Sequence, residues 1–72
     1  MTAFVPVRMT FNRSGAIFIY AEGQSFAVWK ITPHGNIMWA LLGDPANDPQ
    51  LIAELRAFVT QWKRDHPDQK PE

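Results

Sequence analysis

Aromatic side chains at strand spacing are the residues of this chain best suited to bind another molecule. Phe18 and Tyr20 lie two residues apart in an apolar segment, so in a β-strand both rings would project from the same side. Rings paired in this way stack on unpaired nucleic-acid bases, and aromatic rings also anchor protein–protein contacts. With Arg8 as a polar contact, the pattern predicts a binding surface and leaves two classes of partner open.

The balance of charge favours a protein as the partner. Seven basic residues balance seven acidic residues, for a formal net charge of zero, whereas nucleic-acid-binding surfaces usually carry a basic patch. The basic cluster Lys63-Arg64 lies near a predicted helix end, where cations interact favourably with the helix dipole. We therefore expect a homodimer and a larger protein as partners, with single-stranded nucleic acid as the alternative.

Residues with catalytic or metal-binding chemistry are few and far apart. The chain has no cysteine and two histidines, His34 and His66, whereas a zinc site normally needs three or four ligands. Ser14 and Ser25 lie in predicted turns, with no histidine adjacent in sequence to act as a base. We therefore predict no enzymatic activity, no cofactor and no metal site.

The length and hydropathy of the chain limit its organisation. At 72 residues the chain is one domain at most. No apolar run approaches the roughly 20 residues that span a bilayer, and the N-terminus lacks a charged segment followed by an apolar one. We therefore expect a protein of the cytoplasm with no membrane partner.

Four segments have strand-like apolar patterns, and turn-forming residues separate them. Pro6 lies in the first segment, which places that strand at a sheet edge because proline donates no hydrogen bond. The four predicted strands are Ala3–Asn12, Ala16–Ala21, Phe26–Thr32 and Ile37–Leu42. For the last segment, a short helix is the alternative. The pattern predicts an α+β protein with a four-stranded antiparallel meander in the order 1-2-3-4.

Turn chemistry sets the predicted strand pairing. Asn12–Gly15 is typical of a type I turn followed by a left-handed glycine, and Pro33-His34-Gly35 repeats the pattern. Between them, Gly23-Gln24 is typical of a two-residue type II′ hairpin that pairs Glu22 with Ser25. Each turn fixes which residues of neighbouring strands lie opposite each other.

One amphipathic helix follows the sheet. Asp48 is a good N-cap and Pro49 suits the first helical position, so the helix is predicted over Pro49–Asp65, ended by Pro67. Its apolar stripe consists of Leu51, Ile52, Leu55, Phe58, Val59 and Trp62. We expect residues 1–66 to form a single domain and residues 67–72 to be a disordered polar tail.

The predicted registers divide the sheet into an aliphatic and an aromatic face. The aliphatic face would hold Val5, Val7, Met9, Phe11, Ile17, Ile19, Ala21, Phe26, Val28, Lys30, Met38, Ala40 and Leu42. The aromatic face would hold Phe4, Pro6, Arg8, Thr10, Ala16, Phe18, Tyr20, Ala27, Trp29, Ile31, Ile37, Trp39 and Leu41. The helix is expected on the aliphatic face, since Arg8, Thr10 and the Tyr20 hydroxyl give the aromatic face polar groups suited to an interface.

A single helix covers one face of a sheet, so the other face is predicted to meet a partner. The fourth strand also lacks the proline or charge that usually protects a sheet edge, which predicts pairing between two copies. The expected residues of the partner or dimer interface are Arg8, Phe18, Tyr20, Trp29, Ile37, Trp39 and Leu41.

Overall fold

A four-stranded antiparallel sheet followed by one C-terminal helix forms the fold of a computed structural model that describes residues 5–39 and 49–72. The elements are β1 (Pro6–Phe11), β2 (Ile17–Ala21), β3 (Trp29–Ile31), β4 (Ile37–Trp39) and α1 (Pro49–Asp65). The sheet order is β1-β2-β3-β4. The predicted α+β meander and the helix boundaries are confirmed, and Ile37–Trp39 is a strand rather than a helix.

The turn between β1 and β2 is the one that the sequence predicts. The Asn12 N–H donates to the Ala16 carbonyl oxygen at 3.0 Å, and the Gly15 N–H donates to the Asn12 carbonyl oxygen at 3.1 Å. Gly15 has φ of 98°, a left-handed conformation that glycine adopts without steric penalty. This turn places Phe11 opposite Ile17 and Met9 opposite Ile19, as predicted.

The turn between β3 and β4 follows the same pattern. The Thr32 N–H donates to the Asn36 carbonyl oxygen at 2.9 Å, and the Gly35 N–H donates to the Thr32 carbonyl oxygen at 2.8 Å. The Thr32 hydroxyl also accepts the Asn36 N–H at 3.1 Å. The predicted pairs Trp29 with Trp39 and Ile31 with Ile37 are confirmed.

The connection between β2 and β3 differs from the predicted two-residue hairpin. The Gln24 N–H donates to the Ala21 carbonyl oxygen at 3.1 Å, so Gly23, with φ of 78°, is the third residue of the turn rather than its second. Both kinds of turn need a glycine with positive φ, and Gly23 alone does not distinguish them. The predicted pairing of Glu22 with Ser25 is therefore wrong.

This turn shifts the β2–β3 pairing by one residue. Ile19 lies opposite Trp29 and Ile17 opposite Ile31, although the Val28 N–H donates to the Ile19 carbonyl oxygen at 2.9 Å. Because side chains alternate along a strand, a one-residue shift moves every side chain of a strand to the opposite face. Trp29 and Ile31 therefore join the face of Ile19, and the predicted aliphatic and aromatic faces are wrong for β3 and β4.

A second irregularity affects the start of β1. The ladder pairs Pro6 with Ala21 and then Arg8 with Tyr20, which leaves Val7 as an extra residue in the manner of a β-bulge. Val5 is 54% exposed and Val7 is 46% exposed. Both valines therefore lie outside the buried core, although the sequence placed them on the face that the helix covers.

The hydrophobic core lies between one face of the sheet and the helix. From the helix, Leu55 and Val59 enter the core, while Leu51, Phe58 and Trp62 pack against it. From the sheet side, the core contains Met9, Ile19, Ala21, Val28, Trp29 and Ile31, with Phe11, Ile17 and Ile37 packed at its border. The helix thus covers the face that carries Met9 and Ile19, as predicted, but this face also includes Trp29.

The tail after the helix, residues 67–72, makes hydrogen bonds to the helix and to β1. Gln69 accepts a hydrogen bond from Trp62 Nε1 and donates one from Nε2 to the Met9 carbonyl oxygen at 3.1 Å. The Glu72 N–H donates to the Phe11 carbonyl oxygen at 2.8 Å. The tail therefore lies along β1, where it occupies hydrogen-bonding groups of an edge strand.

Two further predictions concern residues that the structure does not describe, namely the Asp48 cap and the extension of the fourth strand to Leu42. Within the described residues, no helix is long and apolar enough to cross a membrane.

Candidate binding face

The sheet face opposite the helix is the candidate binding site, and we call it the open face. No helix or strand within residues 5–39 and 49–72 packs on it. The strand pairings assign six residues to it: Arg8, Thr10, Phe18, Tyr20, Lys30 and Met38. It combines aromatic, cationic and apolar side chains.

Arg8 and Tyr20 form the first cation–aromatic contact of the open face. They are direct partners in the β1–β2 ladder, and the Arg8 guanidinium carbon lies 3.9 Å from the centre of the Tyr20 ring. A guanidinium over an aromatic ring is attracted by the electron-rich ring face. The ladder positions the pair, because directly opposed residues of antiparallel strands hold their Cβ atoms within about 5.5 Å.

Lys30 and Phe18 form the second contact, on the other side of β2. They are partners in the β2–β3 ladder, and Lys30 Nζ lies 5.7 Å from the centre of the Phe18 ring. This distance is near the outer limit of about 6 Å for a cation–π interaction. The ring of Phe18 is therefore less completely covered by its cation than the ring of Tyr20.

Thr10 lies beside Phe18 on the side away from Lys30 and is nearly inaccessible. It is opposite Phe18 in the ladder and is only 4% exposed. Its hydroxyl has no hydrogen-bond partner among the described residues, which is an unfavourable state for a buried polar group. Thr10 thus contributes packing to the open face rather than an accessible hydroxyl.

The charge of the sheet is positive although the chain is neutral. Residues 5–39 contain three basic side chains, Arg8, Arg13 and Lys30, and one acidic side chain, Glu22, which leaves two positive charges in excess. Residues 49–72 contain four of each sign. Two of the three basic groups lie on the open face, and the described strands carry no acidic residue.

The structure brings together only part of the predicted interface. Arg8, Phe18 and Tyr20 share the open face as expected. Trp29 is 1% exposed and belongs to the core, and Ile37 packs against that core. The remaining two predicted residues are Trp39, whose backbone pairs with Trp29, and Leu41, which lies outside the described residues.

Three residues of the open face, Thr10, Lys30 and Met38, were not among the predicted interface residues, although Thr10 was predicted to lie on the aromatic face. Met38 is opposite Lys30 in the ladder and is 51% exposed. The signal that could have placed Lys30 and Met38 on this face is the charged Lys30 between Trp29 and Ile31. Polar and apolar residues alternate along a half-buried strand, so a charged residue indicates the exposed side. The aliphatic face assigned from the sequence would have placed this lysine in the core.

The two edges of the sheet differ in whether another segment of the chain lies beside them. The tail lies along β1, through Gln69 and Glu72. At β4, no strand within the described part of the chain pairs on the outer side. Since Ile37–Trp39 contains neither a proline nor a charged residue, the groups that usually prevent pairing at an edge are missing from this strand.

A cavity of about 350 Å³ lies at the C-terminal end of α1, away from the open face. In its wall, the Trp62 and His66 rings are stacked with their centres 3.8 Å apart. The residues that line it are Phe11, Gly15, Ile17, Trp62, Lys63, His66, Pro67 and Gln69. None of these side chains is a serine, threonine or cysteine, the usual nucleophiles of covalent catalysis.

The other polar residues considered for catalysis have structural roles or are exposed. The Ser14 hydroxyl donates to Asn12 Oδ1 at 2.6 Å within the first turn, and His34 is exposed in a turn. Among the described residues, no group of three histidine, aspartate or glutamate side chains lies close enough to hold a metal ion.

Comparison with other proteins adds no further information about the site. The chain matches no protein-family model, and searches of curated proteins and of solved structures find no match.

Proposed function

We propose that this protein is a small, non-enzymatic binding module of the cytoplasm whose working surface is the open face. The observation that carries the proposal is the pair of cation–aromatic contacts, Arg8 with Tyr20 and Lys30 with Phe18, on a sheet face that no described element covers. Aromatic and arginine side chains are the groups most enriched at binding hot spots.

The charge of the open face determines which partners suit it. Two cations without an acidic neighbour on the strands favour a partner that carries negative charge. A second copy of the same face would place Arg8 and Lys30 against identical groups, which is unfavourable. The open face is therefore proposed to bind a different molecule, either an acidic segment of a larger protein or single-stranded nucleic acid.

Self-association is proposed to use β4 instead. Two copies of β4 related by a two-fold axis would join their sheets into one continuous sheet, and pairing there satisfies the backbone groups of an unprotected edge. The tail along β1 leaves β4 as the edge with no described neighbour. In such a dimer the open face of each copy remains accessible to a partner.

Light scattering coupled to a sizing column tests the dimer, because the monomer has a mass of 8.2 kDa. We expect twice that mass at tens of micromolar and the monomer mass for Met38→Lys, since an added lysine on an edge strand opposes pairing. Met38→Leu, which keeps the side chain apolar, is the matched control and should remain dimeric. A monomeric wild-type protein would contradict the proposed dimer.

Affinity capture from the native host tests the open face itself. Immobilised wild-type protein is compared with the double variant Arg8→Glu/Lys30→Glu and with the control Arg13→Glu/Arg64→Glu, which changes net charge equally at exposed residues outside the open face. The proposal expects partners that the control retains and the open-face variant loses. Identical captured material from all three proteins would refute the open face as the working surface.

A further inference from the structure

We infer that the molecule bound by the open face is single-stranded nucleic acid, with bases stacked on Phe18 and on the Arg8–Tyr20 pair. This inference rests on the proposed function, because it names the partner of the same surface. It depends on the spacing of the two rings, the geometry of the arginine, the placement of the cations and the size of the face.

The spacing of the rings suits successive unpaired bases. Phe18 and Tyr20 both lie on β2, an inner strand of the sheet, and project from the same side. Residues two apart along a strand are separated by about 6.7 Å. Aromatic residues on the strands of a sheet commonly stack two or three bases of a single strand, so this pair provides room for two bases.

The geometry of Arg8 adds a planar cation to the aromatic surface. Its guanidinium carbon lies 3.9 Å from the centre of the Tyr20 ring, so the cation occupies a ring face on which a base would otherwise stack. Guanidinium planes themselves stack on bases, and in a layered arrangement of ring, guanidinium and base the guanidinium contacts both of its neighbours. At Phe18, Lys30 Nζ is 5.7 Å from the ring centre, which leaves more of that ring for direct stacking.

The two cations flank the rings on opposite sides. Arg8 belongs to β1 and Lys30 to β3, and their ladder partners on β2 are two residues apart. With strands about 4.8 Å apart and a rise of about 3.3 Å per residue, the backbones of these two residues are separated by about 12 Å. A strand that crosses β2 diagonally would therefore pass one cation before the stacked bases and the other after them.

The size of the open face distinguishes nucleic acid from a protein partner. With strands about 4.8 Å apart and a rise of about 3.3 Å per residue, the open face is about 14 Å wide; it is about 20 Å long at β1 and only about 10 Å long at the three-residue strands β3 and β4. A standard protein–protein interface involves about 20–30 residues per partner, whereas the strand pairings assign six residues to the open face, so the open face alone is too small for one. Double-stranded nucleic acid is also unsuitable, because the faces of its bases are already stacked within the helix.

Fluorescence anisotropy with labelled dT12, and with the same oligonucleotide paired to dA12, tests the inference. We expect dT12 to bind more tightly than the duplex at about 50 mM salt. With two phosphate contacts, the logarithm of the binding constant should fall with the logarithm of salt concentration with a slope of about −1.4. Arg8→Gln and Lys30→Gln should each reduce the slope to about −0.7.

The stacking role of the Phe18 ring is tested by Phe18→Leu, which keeps an apolar side chain and removes the aromatic surface. Loss of one stacked base should weaken dT12 binding by about fivefold or more, whereas Arg64→Gln, at an exposed residue of the helix, should leave it within about twofold. Circular dichroism checks that each variant is folded. If Phe18→Leu does not fold, Lys30→Gln and Arg8→Gln still test the inference.

Two results would overturn the inference. One is the absence of dT12 binding at about 50 mM salt. The other is equal affinity for the single strand and the duplex, together with an affinity that Phe18→Leu does not change. An acidic peptide with alternating Glu and Phe separates this failure from that of the proposed function. If the peptide binds through Arg8 and Lys30 and dT12 does not, the open face is a protein-binding surface. If neither ligand binds and capture does not depend on the open face, the proposed function fails as well.

Discussion

Ile19 lies directly opposite Trp29 in the β2–β3 ladder, and this pairing determines which residues the two faces of the sheet present. It places a tryptophan beneath the helix, with Leu55 and Val59 in the same core. It also places Lys30, the next residue, on the open face beside Phe18. The β2–β3 pairing therefore determines the composition of both the binding surface and the core.

The first prediction concerns Trp29 as a core residue. Trp29→Ala should lower the free energy of unfolding by about 3–5 kcal/mol, because it removes a large side chain that is 1% exposed. Phe18→Ala, on the open face and half-buried, is the matched aromatic truncation and should cost less. Urea denaturation monitored by circular dichroism measures both, and equal losses for the two variants would be inconsistent with this placement.

The second prediction concerns the turn that sets the register. Gly23 has φ of 78° and no atom within 4 Å of the position that a Cβ would occupy, so a substitution acts through the backbone alone. Gly23→Ala should cost about 1–2 kcal/mol of stability, and Gly23→Asn less, since asparagine tolerates the left-handed region better. The same urea titrations apply, and an alanine variant as stable as the wild type would argue against this turn.

The third prediction concerns the buried hydroxyl of Thr10. Because Oγ1 has no hydrogen-bond partner among the described residues, Thr10→Val should leave stability unchanged or increase it by about 1 kcal/mol. Thr10→Ser, which keeps the hydroxyl and removes the methyl group, should destabilise the protein by about 1 kcal/mol. A marked loss of stability in Thr10→Val would show that the hydroxyl is hydrogen-bonded in solution.

The fourth prediction concerns Gln69 and the tail. Gln69→Ala removes a hydrogen bond from Trp62 Nε1 and another to the Met9 carbonyl oxygen, which should cost about 1–3 kcal/mol. Removal of residues 67–72 should cost at least as much and should increase self-association, because the edge of β1 is then less protected.

Thermal unfolding and light scattering measure these two effects of the tail. Gln61→Ala is a suitable control, since Gln61 is exposed and its side chain donates to Asp65 on the same helix. If deletion of the tail changes neither melting temperature nor mass, the contacts along β1 contribute nothing to the folded state.

Much of the fold could be predicted from the sequence because its strongest signals are local. The turns at Asn12–Gly15 and Thr32–Asn36 each combine a glycine with polar residues at fixed spacing, and both formed as predicted. The helix follows from the apolar stripe between Pro49 and Asp65, and its boundaries agree with the structure.

The candidate site was predicted only in part because it depends on the pairing register between neighbouring strands. Gly23 fits two turn types that differ by one residue in the pairing they produce, and that difference decides the face of Trp29 and Lys30. Arg8, Phe18 and Tyr20 were placed correctly because they depend on the first turn alone. The docking of Gln69 was not predicted, since a polar tail carries no apolar pattern from which packing can be inferred.

The uneven distribution of charge changes how the neutrality of the chain is understood. At physiological ionic strength, interactions between exposed charges are screened beyond about 8 Å, so a ligand on the open face responds to nearby groups rather than to the total. Within that distance of the two rings lie the cations of Arg8 and Lys30, at 3.9 and 5.7 Å from the ring centres they contact. A polyanion approaching the rings therefore encounters a locally cationic surface on a protein whose isoelectric point, about 6.7, is close to neutral pH.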